Sequence, residues 1–133
     1  MGKHMKRLLA FSILLLGYAF FSAAPASAYI ESVGLTNKTD KCAWITVYFS
    51  DALSPWSIYP GTPGFLKPGQ SIGWGINKKS EIKIRAEVKA HADCSGPTIA
   101  DTYDVRKTGI TSQPSHPTAR IQHDSNGYHL WFY

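Results

Sequence analysis

From Glu81 to Ala92 every even position is apolar (Ile82, Ile84, Ala86, Val88, Ala90, Ala92) and every odd one is charged or histidine. Period two is the pattern of a β-strand with one face in a core and the other in water; a helix would space its apolar residues at three and four. The same alternation runs from Ala43 to Ser50, where Ala43, Ile45, Val47 and Phe49 oppose Trp44, Thr46, Tyr48 and Ser50. Ile72, Trp74 and Ile76 share a face opposite Gly73 and Gly75, and residues 30–36 and 98–105 form further, weaker strands. Pro68-Gly69, Asn77-Lys78-Lys79 and Ser95-Gly96-Pro97 predict turns between them. Residues 51–69, with Pro55, Pro60, Pro63 and Gly64, read as a long irregular connection around a short strand at 56–59. Residues 106–117 read as a second polar loop.

The C-terminus predicts a hairpin. Residues 118–123 and 128–133 flank Asp124-Ser125-Asn126-Gly127, and Asn-Gly favours a tight turn because it tolerates positive φ. A two-residue turn at Asn126-Gly127 pairs Ile121 with Phe132, His123 with Leu130, Arg120 with Tyr133, Gln122 with Trp131 and Asp124 with His129. A four-residue loop shifts that register by two and keeps the faces. Either way Ile121, His123, Leu130 and Phe132 face one side, with His123 its weak point, because a buried imidazole needs a partner. His129, Trp131, Tyr133, Arg120, Gln122 and Asp124 face the other. Seven or eight short strands separated by turn signals predict an all-β fold: a small antiparallel β-sandwich, Ig-like or jelly-roll-like, with a small barrel as the alternative.

The first residues change the reading of the rest. Lys3, Lys6 and Arg7 precede an apolar run from Leu8 to Phe21, and Ala26-Ser27-Ala28 supplies the small residues of a cleavage site. Residues 1–28 are therefore expected to be a cleavable signal peptide, with Tyr29 opening a single β-sandwich domain over residues 29–133 and secretion or periplasmic export as the destination. The apolar run is shorter than the roughly 20 residues a spanning helix needs. The whole chain carries 14 Lys and Arg against 9 Asp and Glu. Removing the three basic residues of the leader leaves eleven against nine, with no concentrated basic stripe, so no nucleic acid partner is expected. The two cysteines, Cys42 and Cys94, both follow the leader, and export makes a disulfide between them the expected state.

Candidate chemistry is sparse. There is no nucleophile elbow, no zinc-protease helix motif and no phosphate loop, so no catalytic residue, cofactor or metal is expected and the chain reads as a non-enzyme. His91 and Asp93 lie two apart, on one side of the long strand if it extends that far, and Asp124 and His129 pair across the hairpin; each reads as a solvated surface pair. Asp101 and Asp104 do not share a strand face, which weakens them as a carboxylate pair for glycoside hydrolysis. Asn37-Lys38-Thr39 matches the N-glycosylation acceptor, which matters only in a eukaryotic source.

The opening layout combines a strand ending near Asn37, Cys42, Ile45-Thr46-Val47-Tyr48 and Pro68-Gly69-Gln70-Ser71. Over that short stretch it resembles the thaumatin-like and aegerolysin-like secreted β-sandwiches. The thaumatin-like proteins are rich in cysteine and this chain has two. Their acidic cleft has no counterpart that can be placed here, so the resemblance implies no functional residue.

The four tryptophans, Trp44, Trp56, Trp74 and Trp131, are the most distinctive compositional signal. A Trp or Tyr turned away from the core offers a flat ring with a polar tip, suited to stacking on sugars or resting in a lipid headgroup layer. The expected function is a secreted, non-catalytic binding module for an extracellular glycan or protein. Its candidate ligand-binding residues are Trp131, Tyr133, His129, Arg120, Gln122, Asp124, Trp44 and Tyr48. A membrane-active, lipid-binding or pore-forming sandwich is the second reading, which makes a membrane surface the alternative partner. An inhibitor of a secreted enzyme, presenting residues 51–69, is the third.

Overall fold

The computed structural model describes residues 29–51, 55–107 and 114–133. The leader at 1–28 lies outside the described residues. Ten β elements follow in order: β1 Tyr29–Asn37, β2 Ala43–Ser50, β3 Ser57–Ile58, β4 Gly64–Leu66, β5 Ser71–Lys79, β6 Glu81–Lys89, β7 Thr98–Lys107, β8 Pro114–Ser115, β9 Thr118–Asp124 and β10 Gly127–Phe132. They build two sheets, one ordered β10-β9-β1-β5 with β8 also against β1, the other ordered β3-β2-β6-β7 with β4 also against β2. The two sheets face one another as the expected all-β sandwich. One departure from a purely antiparallel fold is that β8 and β9 both run parallel to β1. Three of the elements are only two or three residues long, which accounts for the count above seven or eight.

The alternation in β6 becomes its burial: Ile82, Ile84, Ala86 and Val88 are fully buried, and the odd positions are half-exposed. Ala43, Ile45 and Val47 of β2 meet Val88, Ala86 and Ile84 across the ladder. From the opposite sheet come Ile30, Val33, Leu35, Trp74, Ile76, Ala119, Ile121 and Leu130. Each fully buried aliphatic side chain contributes about 1.5–3 kcal/mol relative to an exposed one.

Two local readings are corrected. Asn77-Lys78-Lys79 is strand, not turn. β5 belongs to one sheet and β6 to the other, and the chain changes sheets at Ser80, whose N–H and hydroxyl both donate to the Ser50 carbonyl. The period-two pattern also overshoots: β6 ends at Lys89, and Ala90–Ala92 turn away. There the His91 carbonyl accepts the N–H groups of both Cys42 and Cys94. The Cys42–Cys94 disulfide closes this corner, with Cα atoms 4.9 Å apart. The other turns behave as their residues dictate. Pro68-Gly69 forms a tight turn with Gly69 at φ 75° and a Gln70 N–H to Lys67 carbonyl bond, the geometry in which glycine follows proline. Within residues 51–69, the five residues of β3 and β4 pair with β2 and belong to the sheet.

Asn37, at the end of β1, is completely buried. Its amide nitrogen donates to the carbonyls of Lys41 (2.8 Å) and Leu66 (3.0 Å), and its oxygen accepts from the N–H and hydroxyl of Thr39. Both amide hydrogens are spent, so the glycosylation motif of the sequence is a structural knot joining β1, the 38–42 loop and β4. The edge of the first sheet at β10 is closed by side chains of β7: Thr102 accepts the Leu130 N–H and Asp104 the Phe132 N–H, both at 3.0 Å.

Candidate functional site

The register of the second sheet sets side chains in rows on its outward face. Trp44 lies across from Glu87 and then Asp101, Thr46 across from Arg85 and then Tyr103, and Tyr48 across from Lys83 and then Val105. β3 and β4 extend those rows, placing Ile58 beside Tyr48 and Phe65 beside Trp44. The Trp44 and Phe65 rings pack with centroids 4.4 Å apart. Large apolar groups stay open to solvent here: Trp56 is 39% exposed, Phe65 50%, Ile58 54% and Tyr103 63%.

Charge is organised at the centre of this face. The Lys83 ammonium stands 4.6 Å from the Tyr48 ring centroid, 5.5 Å from that of Tyr103 and 5.8 Å from that of Trp56. One position along, Arg85 makes a forked pair with Asp101, its Nε 2.9 Å and 3.2 Å from the two carboxylate oxygens, and lies 3.7 Å from Glu87. The hydrogen bond and charge of Asp101 raise the Arg85 pKa, and those of Arg85 hold the Asp101 carboxyl below its ordinary value. Asp101 is therefore an ionised partner at neutral pH and a poor proton donor. Tyr48, Lys83, Arg85, Asp101 and Tyr103 together line a shallow concavity of about 430 Å³.

The hairpin forms a second surface, on the outward face of the first sheet. The two-residue turn falls on Ser125-Asn126 instead of Asn126-Gly127, which shifts the register by two: Gly127 pairs with Asp124, Tyr128 with His123, His129 with Gln122, Leu130 with Ile121, Trp131 with Arg120 and Phe132 with Ala119. The expected division of faces is present. Ile121 and Leu130 are buried, and Phe132 is half-buried against the core. His123 shares their parity but is exposed at the hairpin's end, stacked 4.1 Å from the Tyr128 ring. On the outward side His129 lies 3.3 Å from Asp124 and stacks on Trp131, and the Arg120 guanidinium covers the Tyr133 ring at 4.6 Å. The Arg120 Nε is buried without a hydrogen-bond partner. Gln122 is half-buried in the same row.

The eight residues singled out from the sequence thus occupy two surfaces. Trp131, Tyr133, His129, Arg120, Gln122 and Asp124 are together; Trp44 and Tyr48 lie on the opposite side of the sandwich. Trp74 points into the core. Lys83, Arg85, Tyr103, Phe65 and Ile58 were missed as site residues. Alternation alone turns Lys83 and Arg85 outward, but only the strand register brings the rings around them. His91 and Asp93 are not on one strand side, since β6 has already ended. Asp93 instead accepts from the Ser95 N–H and hydroxyl, which lowers its pKa. Asp101 and Asp104 do face opposite ways, one toward Arg85 and the other toward β10. Among the described residues no three His, Cys, Asp or Glu side chains converge on a metal-sized site.

This is a two-sheet β-sandwich with a laterally exposed aromatic and charged face. No protein-family model matches the chain, and no curated protein matches it. Solved structures share the fold. A Gram-negative toxin aligns at 16% identity and TM-score 0.52 over 78% of this chain, and a protein from Eubacterium rectale at 12% and 0.51 over 77% of this chain and 86% of its own. A disulfide-locked mutant of intermedilysin with human CD59 aligns at 11% and 0.49 over 77% of this chain. The chain spans about a quarter of the toxin (23%) and of the intermedilysin mutant (24%). At these identities the likeness is one of fold.

Proposed function

We propose that this protein is an exported, non-catalytic binding module for an extracellular ligand, and that the ligand rests on the outward face of the second sheet. The observation that carries the reading is the exposure of Trp56, Ile58, Phe65 and Tyr103 on the sheet face that holds the Lys83–Arg85–Asp101 concavity. Flat rings give contact area at low entropic cost, and the charged groups between them fix orientation. The disulfide and the leader-like first residues fit export. The sequence carries no recognised catalytic motif, and Asp101 is engaged by Arg85 in a forked ion pair.

The test is a glycan array and a pull-down from extracellular material, run with the protein and with the Tyr103→Ala, Trp56→Ala and Trp131→Ala variants. Binding should fall at least tenfold in the first two and stay within twofold in the third. Loss confined to Trp131→Ala would move the site to the hairpin. The second reading, a membrane-active protein, draws on the fold shared with part of a toxin. Co-sedimentation with liposomes in the absence of any glycan or protein ligand would favour it.

A further inference from the structure

The charges on the outward face of the second sheet are nearly all matched. Arg85 is bound by Asp101 and Glu87, and Lys107 lies 3.7 Å from Glu81. Lys89 donates to the Thr98 hydroxyl. Lys83 differs. Among the described residues no carboxylate stands within 4 Å of its ammonium, which instead has three ring faces around it. The rings attract the cation but accept no conventional hydrogen bond from it, so its three N–H donors are left for water or a ligand. We infer that the ligand of this face is an acidic oligosaccharide, whose carboxylate or sulfate group meets the Lys83 ammonium while its sugar rings lie on Tyr103, Trp56 and Tyr48. The inference rests on the proposed binding face and specifies its ligand.

The composition of the face selects a sugar over a protein or a membrane. The core of a protein–protein interface is depleted in charge, whereas here Lys83, Arg85 and Asp101 occupy the centre and the apolar groups surround them. A pyranose presents the complementary arrangement: an apolar C–H face for a ring, with hydroxyls at its rim for Asp101 and Arg85. The concavity is shallow and open at its sides, so a chain of sugars can lie across it. A bilayer would need apolar groups able to penetrate, and the carboxylates of Glu87 and Asp101 in the same rows oppose an anionic membrane. One anionic group per bound segment matches the one ammonium of this face that is ringed by aromatic faces, and salt should weaken the contact.

Calorimetric titration of the full exported protein with a heparin-type hexasaccharide, a galacturonate hexasaccharide and neutral cellohexaose tests this. An acidic hexasaccharide should bind at least tenfold more tightly than cellohexaose. Lys83→Gln should abolish that preference and Lys83→Arg should keep it, with circular dichroism and melting temperature checking that each variant is folded. Arg120→Gln, on the opposite face, should leave binding unchanged. Equal affinity for cellohexaose, or a preference that survives Lys83→Gln, would overturn the acidic ligand while leaving the binding face standing if Tyr103→Ala still abolishes binding. Binding of acidic sugar that is lost in Arg120→Gln but not in Tyr103→Ala would overturn both. No binding to any of the three sugars would overturn the inference alone, the face then being judged by its protein ligands.

Discussion

Replacing Asn37 with aspartate changes one nitrogen to oxygen and should nonetheless be among the most damaging substitutions in the domain. The carboxylate keeps the acceptor that serves Thr39. It removes both donors and aims an oxygen at the carbonyls of Lys41 and Leu66, which lie 2.8 Å and 3.0 Å from the present nitrogen. A buried polar group left without its partner costs about 1–3 kcal/mol, and two are left here. An unpaired charge with no exposed surface adds to that. The sum is about 3–6 kcal/mol against a total stability of roughly 5–15 kcal/mol for a domain of this kind. Asn37→Ala loses those two bonds and the acceptor for Thr39 as well, but introduces no charge, and should cost a comparable amount, about 3–6 kcal/mol. Urea denaturation at neutral pH, followed by tryptophan fluorescence, measures both. With a slope of about 1–3 kcal/mol per molar urea, a loss of about 3 kcal/mol moves the midpoint by about 1–3 M. The sign of the pH effect is a further check. Burial against two carbonyls raises the folded-state pKa of an aspartate at this position above its unfolded value. The penalty of Asn37→Asp is then greatest at neutral pH and shrinks as pH falls through that raised value, because the protonated acid regains one donor. An Asn37→Asp midpoint within about 0.3 M of the native protein's, with the native slope, would refute the reasoning.

Three further outcomes follow from the described contacts. Reduction of the Cys42–Cys94 bridge, which spans a sequence separation of 52, should cost up to about 4 kcal/mol in the chain-entropy account, measured as the difference between urea midpoints with and without reductant. Asp104→Ala should cost about 1–2 kcal/mol, since it strips the Phe132 N–H of its acceptor, and hydrogen exchange at Phe132 should accelerate more than exchange in β6. Asp101 has a depressed pKa, so its pairing with Arg85 stabilises the fold above the unfolded carboxylate value and is lost as pH falls through the lower folded value; because both side chains are more than a third exposed, the native protein should exceed Asp101→Asn by less than about 1 kcal/mol at neutral pH and match it in strong acid.

What was legible in the sequence was whatever a single strand reports about itself. The four even residues from Ile82 to Val88 announced a buried face, Cys42 and Cys94 a bridge, and the hairpin kept its two faces despite the uncertain turn. The failures occur where one strand's behaviour depends on another. Ala90 and Ala92 continue the alternation, but the bonds from Cys42 and Cys94 to the His91 carbonyl end the strand before them. Asn77-Lys78-Lys79 has the composition of a turn, yet its backbone continues β5 as strand and the chain changes sheets only at Ser80. The candidate site suffered most. Lys83 and Arg85 were visible as outward charges, but Tyr48, Trp56 and Tyr103 come from three other segments, and only the ladder register puts them around one ammonium. Asn37 showed a modification motif and not its burial, because the carbonyls that consume its hydrogens belong to Lys41 and Leu66.

The side chains of Thr102 and Asp104 that occupy the free amides of β10 also bear on how copies of this molecule can associate. An uncovered sheet edge invites another chain to add to it, and a sheet with two such edges can grow without limit. Here the β10 edge is already taken from within, whereas on the far side of the same sheet no described strand pairs with β5 beyond β1. Through this sheet, strand addition at β10 would first have to displace those bonds, and at β5 the Tyr59 hydroxyl already donates to the Gly75 carbonyl. A few side-chain hydrogen bonds thus guard the sheet against strand addition without any strand being spent on the task.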